Sequence, residues 1–276
     1  MAKIVVHVFS GVPDPMIEIS GEEARQLRAL VSAATLRAEA APRQVLGYRG
    51  MTLVDDRGEF GIMEGVSRAA DGRGLVIDED RRAERFAAEF LSRLGLAPTV
   101  RQHILDEIHR KPKMHDVEGL STGCATSQAV DAPTYAPGNW NIPAVQPRNN
   151  CYNYANDQAT NTFAQPGRGT GHPISALSCS GVRPSAVSDG LGVVPDFSGK
   201  LSAGSGWYVA LVIWPNVDYH WYRQDATGCW SHKPGQTAVR DVDNSGAKIA
   251  DPKNCDRGPY TAFCDYMVTK RTVTIR

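Results

Sequence analysis

A chain of 276 residues with thirty basic and thirty acidic side chains and 42% hydrophobic residues is long enough for a large core and, at roughly 100–200 residues per domain, for two domains. Zero net charge argues against a general affinity for nucleic acid or an acidic membrane, and no apolar run reaches the ~20 residues of a membrane span. The N-terminal Met-Ala-Lys-Ile-Val-Val-His-Val-Phe lacks the apolar segment of a secretory signal, so a cytoplasmic location is expected, with export by a signal-less route as the exception.

The charges are uneven. Residues 1–115 hold 17 Lys/Arg and 17 Asp/Glu, while all six cysteines and all five tryptophans lie beyond them. An α+β protein of two domains is expected: a charged accessory or recognition domain over 1–115, a linker or extended arm over 116–148, and a second domain over 149–276.

Lys3–Phe9 reads as a buried strand, and Ser10-Gly-Val-Pro-Asp-Pro15 as its turn. That stretch is a strand connection by its chemistry and a recognition loop in the alternative. Met16–Ile19 is a second strand. Ser20 and Glu23 then form a capping box for a helix to about Leu36, with Ala24, Leu27, Leu30, Val31 and Ala34 on one face. Strands are expected at Leu46–Val54 and Glu59–Val66 around an Asp55-Asp-Arg-Gly58 turn, and a short one at Gly74–Ile77. Helices follow from about Asp80 to Leu94 and from Thr99 to His109. His103, His109 and His115 are six residues apart, which places neighbours on opposite helix faces and argues against a metal site.

In the second half a helix is expected from Cys151, with Tyr152, Ala155, Ala159 and Phe163 on one face and an end at Gln165-Pro-Gly167. Gly167-Arg-Gly-Thr-Gly lacks the frame of a phosphate-binding loop. Trp207–Trp214 is apolar on both faces and reads as a central strand. Tyr219–Gln224 and Cys229–Pro234 form a hairpin through Asp225-Ala-Thr-Gly228, and Tyr266–Ile275 closes the chain as a strand.

Chemistry concentrates at Asn149-Asn-Cys151-Tyr-Asn153. A thiol at a helix N-terminus has its pKa lowered by the dipole, and Asn149, Asn150 and Asn153 are amide donors suited to an oxyanion. His220 is the expected base and His232 its rival. If Gln224 pairs with Cys229, Trp221 falls opposite His232, and the two histidines occupy opposite faces; a one-residue slip reverses this. Asp243, Asn244, Asp225 and Gln224 are the candidates to orient the imidazole.

A cysteine starting a helix, followed by a histidine on an antiparallel strand, is the layout by which residues 151–232 resemble papain-like cysteine peptidases, amidases and transglutaminase-type enzymes. Asn149-Asn-Cys-Tyr-Asn-Tyr154, His220-Trp-Tyr-Arg-Gln-Asp225 and Trp230-Ser-His-Lys-Pro-Gly235 also resemble segments of uncharacterised bacterial proteins. The papain-like resemblance implies a helix bearing the cysteine packed on an antiparallel sheet. It also implies a Cys151 nucleophile with His220 as base, Asn150 and Asp243 assisting, and a peptide or protein substrate held by Asn149, Asn153, Trp221, Tyr222 and His232. No cofactor is required. Two non-catalytic readings stand beside it. Trp207, Trp214, Trp221 and Trp230 with Tyr208, Tyr219 and Tyr222 line a partner groove, although alternating strand aromatics are more often core. Or cysteines and histidines bind a metal, against which the cysteine gaps of 27, 28, 50, 26 and 9 lack a Cys-x-x-Cys knuckle. Without a signal, the thiols are expected free, with Cys255–Cys264 as the pair that export would allow. A protein partner for the first domain remains a further expectation.

Overall fold

A computed structural model describes residues 2–32, 35–36, 45–63, 66–69, 75–77, 81–110 and 123–276. The expectations for Ala34, Gly74, Asp80 and His115 lie outside the described residues. The fold is α+β with antiparallel sheets. It divides into two units, Met1–Val8 with Asp14–Met114, and Phe9–Pro13 with His115–Arg276.

The first unit holds strands β1 (Ala2–Val6), β2 (Met16–Ile19), β3 (Thr35–Leu36), β4 (Met51–Asp55), β5 (Gly58–Met63), β6 (Val66–Ala69) and β7 (Leu75–Ile77) in one sheet of order β2-β1-β4-β5-β6-β7-β3. Its helices are α1 (Gly21–Ser32), α2 (Arg82–Ala88) and α3 (Pro98–His109). Alternation along β1 buries Ile4 and Val6, with Ile4 paired to Ile17 and Leu53 on the neighbouring strands. The capping box forms: Ser20 N donates to Glu23 Oε2 at 2.7 Å and Glu23 N to Ser20 Oγ at 3.2 Å. Asp55 pairs with Gly58, so Asp56 and Arg57 make the turn of the β4–β5 hairpin. The helix expected from Asp80 to Leu94 breaks in two, because α2 passes into a 3-10 segment at Glu89–Arg93 that buries Phe90 and Leu91.

The second unit is built on β8 (Gly192–Val194), β9 (Trp207–Trp214), β10 (Asp218–Gln224), β11 (Trp230–His232) and β12 (Ala262–Thr269), ordered β11-β10-β9-β12-β8 with every pair antiparallel. Eight consecutive buried residues make β9 interior. Helices α4 (Pro137–Trp140), α5 (Cys151–Ala155) and α6 (Cys179–Ser188) complete it. The pairing aligns Tyr208, Ala210, His220, Tyr222, His232 and Tyr266 on one face, and Trp207, Trp221, Arg223, Ser231 and Asp265 on the other. Helices α5 and α6 cover the second face. Trp207 Nε1 donates to Ala155 O at 2.8 Å, Tyr154 Oη shares a proton with Ser231 Oγ at 2.7 Å, and Arg183 pairs with Asp265.

Two disulfides fasten this unit. Cys124–Cys229 ties the approach segment to the β10–β11 turn, and Cys179–Cys264 ties α6 to β12. Cys151 and Cys255 are free. The expectation of free thiols, with Cys255–Cys264 as the optional pair, is corrected on both counts.

Candidate functional site

Helix α5 is five residues long, not the thirteen or so that the apolar spacing to Phe163 implied. Its four neighbouring asparagines explain why. Asn150 is the N-cap: its side-chain oxygen accepts from Tyr152 N at 3.0 Å and Asn153 N at 3.1 Å. Asn153 answers by accepting from Asn150 N and Ala164 N, and donates to Gln158 O and Thr160 Oγ1. Asn149 donates to Val145 O and Asn161 Oδ1 and accepts from Asn161 N. Asn156 donates back to Tyr152 O. These amides satisfy an irregular loop in which Asp157, Asn161 and Phe163 all adopt left-handed backbone angles. Asn149, Asn150 and Asn153 are therefore each engaged on both amide atoms within this loop.

Cys151 is completely buried. Burial pushes its thiol well above the ordinary value, and the charge of Asp218 adds to this; the Trp221 backbone and Lys233 oppose it weakly. The expected dipole activation loses to desolvation, since a single helical turn has little dipole to offer. His220 does not reach it as a base. It belongs to the sheet face opposite α5, where its Nε2 lies 2.9 Å from His232 Nδ1 and its ring stands edge-on to Tyr222 at 4.8 Å. The sheet thus stands between the His220 side chain and helix α5.

The two histidines meet because the hairpin slips by one residue from the expected pairing. Tyr222 lies opposite His232 and Gln224 opposite Trp230. Asp225 N donates to Cys229 O and Gly228 N to Asp225 O, so the turn includes Cys229, held by its disulfide. His232 Nε2 lies 3.2 Å from Val242 O. A carbonyl only accepts, so His232 carries its proton on Nε2, and His220 Nε2–H donates to His232 Nδ1.

The other assigned residues are likewise engaged in internal contacts. Asp243 accepts from Ser245 N, Ser245 Oγ, Ala247 N and Asp256 N, and so shapes its own turn. Asp225 pairs with buried Arg223 at 2.9 Å, and Gln224 donates to Gly228 O. Asn244 N donates to Asp256 O. Trp221 packs on Tyr152 with ring centroids 5.3 Å apart, and the Tyr222 hydroxyl meets Cys255 Sγ. Trp207, Trp221, Trp230, Tyr219 and Tyr222 are all buried, so these aromatics are core and not a groove lining. Four cysteines are spent in disulfides, and among the described residues no group of three or more His, Cys, Asp or Glu is placed to hold a metal ion.

Two polar residues went unremarked in the sequence. Lys233, fully buried, donates from Nζ to the carbonyls of Gln146, Asn149, Gly235 and Thr237, all within 3.0 Å. Asp218, also fully buried, accepts from Ser10 N at 2.5 Å, from Gly11 N at 3.2 Å, from Val12 N at 3.0 Å and from Tyr260 Oη at 2.6 Å. Desolvation raises its carboxyl to about 6 despite these donors. A lysine before Pro234 and an aspartate after Pro215-Asn-Val read as ordinary turn residues, and only the long-range packing reveals them.

No family model matches the chain, and no solved structure does. It is 47% identical over 140 residues to insoluble matrix shell protein 1 of the mollusc Ruditapes philippinarum, an alignment that spans 50% of this chain and 90% of the relative. This overturns the papain-like and bacterial resemblances and the hydrolase reading built on them. It overturns the cytoplasmic expectation too, since the relative is by name a protein of a shell matrix, and two disulfides accord with an oxidising compartment. At that identity and coverage, the chain belongs to the family of insoluble matrix shell protein 1.

Proposed function

We propose that the protein is a non-catalytic structural component of an extracellular matrix. The observation that carries this reading is the 47% identity to a shell matrix protein across 90% of that protein's length. The interior chemistry supports it. The residue types that suggested an enzyme are buried and consumed: Cys151 is closed off, the asparagines hold loops, and Lys233 and Arg223 saturate carbonyls and carboxylates. Cross-linking by two disulfides and a dense buried hydrogen-bond network favours persistence outside the cell over the mobility a catalytic site uses. In this reading the first unit, with 17 basic and 17 acidic residues over 1–115, is the one that contacts other proteins of the matrix.

The test is fractionation of the source tissue with an antibody to the chain, coupled to disulfide mapping. The reading expects the protein in the insoluble extracellular fraction, with Cys124–Cys229 and Cys179–Cys264 oxidised. Recovery in the soluble cytosol with those thiols reduced contradicts it.

A further inference from the structure

Residues 9–13 belong to the second unit although some 200 positions separate them from the strand they pack on. Their main chain is held at both polarities by side chains that are buried or, for Gln165, half-buried. Asp218, at the start of β10, takes three successive N–H groups, from Ser10, Gly11 and Val12. The carbonyl of Gly11 receives Asn150 Nδ2 at 2.9 Å and Gln165 Nε2 at 2.8 Å, while Tyr219 Oη, 3.3 Å away, has Gln165 Oε1 as its nearer acceptor at 2.9 Å. Selectivity comes from shape. A Cβ on Gly11 would stand 2.5 Å from the Tyr219 ring, closer than any real side chain tolerates. By contrast Ser10 Oγ is buried with no hydrogen-bond partner, so the site reads the backbone and the glycine, not the hydroxyl.

We propose that Asp218, Tyr219, Tyr260, Asn150 and Gln165 form a peptide-recognition site for a glycine-bearing turn of the Ser-Gly-Val-Pro kind, filled here by the chain's own residues 9–13 and able to take the same segment from a second copy. Every recognised group lies within five residues, the receptor groups come from four separate segments, and the contact is non-covalent throughout. Such an arrangement gives a matrix protein a way to join copies by exchanging one segment. The proposal concerns a binding site and holds or fails independently of where the protein works.

The probe is a dye-labelled acetyl-Phe-Ser-Gly-Val-Pro-amide, titrated by anisotropy into the full chain. The receptors are wild type and two variants that eject the internal segment, Gly11→Val and the double variant Ser10→Pro/Val12→Pro. Amide exchange over Trp207–Trp214 reports whether the sheet stays folded. A vacated, folded variant is expected to bind the peptide at least about ten-fold more tightly than wild type, where the tethered segment competes at ~mM effective concentration. Added Asp218→Asn removes that binding, and a peptide with valine in place of its glycine does not bind. A folded variant that fails to bind at millimolar peptide overturns the proposal. So does loss of sheet protection in both variants, because the segment is then an integral part of the core and not a ligand.

Discussion

The ring of Tyr219 stands 2.5 Å from the point where a Cβ on Gly11 would lie, which makes this glycine a steric requirement and not a turn preference. Gly11→Ala is expected to destabilise the second unit by about 1–3 kcal/mol, the usual range for overpacking. Ser10→Ala deletes a buried hydroxyl that has no partner and is expected to be neutral or stabilising. Denaturant titration of both variants, followed by tryptophan fluorescence, checks the pair, since every tryptophan lies in the second unit.

The two units are expected to respond to acid in opposite senses. Burial raises Asp218 from 3.8 to about 6 in the folded state. The folded state then binds the proton more tightly than the unfolded chain. The associated stability is fully present below pH 3.8 and is lost as pH rises through about 6, a swing on the order of 2–3 kcal/mol. His103, in the first unit, is lowered by burial from 6.5 to about 4. Its contribution is present above pH 6.5 and fades as pH falls through about 4. Amide exchange resolved by unit between pH 4 and 7 separates the trends, and Asp218→Asn should flatten only the second unit's slope.

Removing Lys233 strands the carbonyls that its ammonium serves, those of Asn149 and Gly235 buried and those of Gln146 and Thr237 half-buried. At about 1–3 kcal/mol for each unsatisfied buried group, partly offset by relaxation, Lys233→Met is expected to cost at least about 3 kcal/mol. Lys248→Met, which breaks the half-exposed ion pair with Asp241, is expected to cost no more than about 1 kcal/mol. Equilibrium unfolding in urea distinguishes them.

Reduction should weaken one unit alone. All six cysteines lie in the second part of the chain, and the disulfides close spans of 105 and 85 residues. On the chain-entropy account, each span of this length contributes about 4–5 kcal/mol. Dithiothreitol is expected to lower the melting temperature of the second unit strongly and leave that of the first unchanged in calorimetry.

Local signals were legible where local forces decide. The Ser20–Glu23 capping box, the Asp55–Gly58 hairpin and the β9 run follow from side-chain type and period alone. The hairpin register and the length of α5 were not legible, because distant partners decide them. The β10–β11 register depends on a turn held through Cys229 by Cys124, 105 positions away, and no count of turn residues anticipates it. Helix α5 ends early because Asn153 and Asn156 turn their amides onto nearby backbone and loop groups, which apolar spacing does not reveal. The polar neighbours of Cys151 had suggested chemistry; they are the hydrogen bonds of a buried irregular loop.

The reactivity of Cys151 tests the non-catalytic account most directly. The measurement is labelling by limiting iodoacetamide from pH 5 to 9 with peptide mapping, on wild type and His220→Ala. Cys151 is fully buried with its thiol raised, while Cys255 is only partly buried with its thiol raised to about 12. Neither should label readily near neutrality. Cys255 should react first as pH rises, Cys151 only on unfolding, and His220→Ala should not change that order. Selective labelling of Cys151 at pH 6, lost in His220→Ala, would establish an activated thiolate and contradict the account.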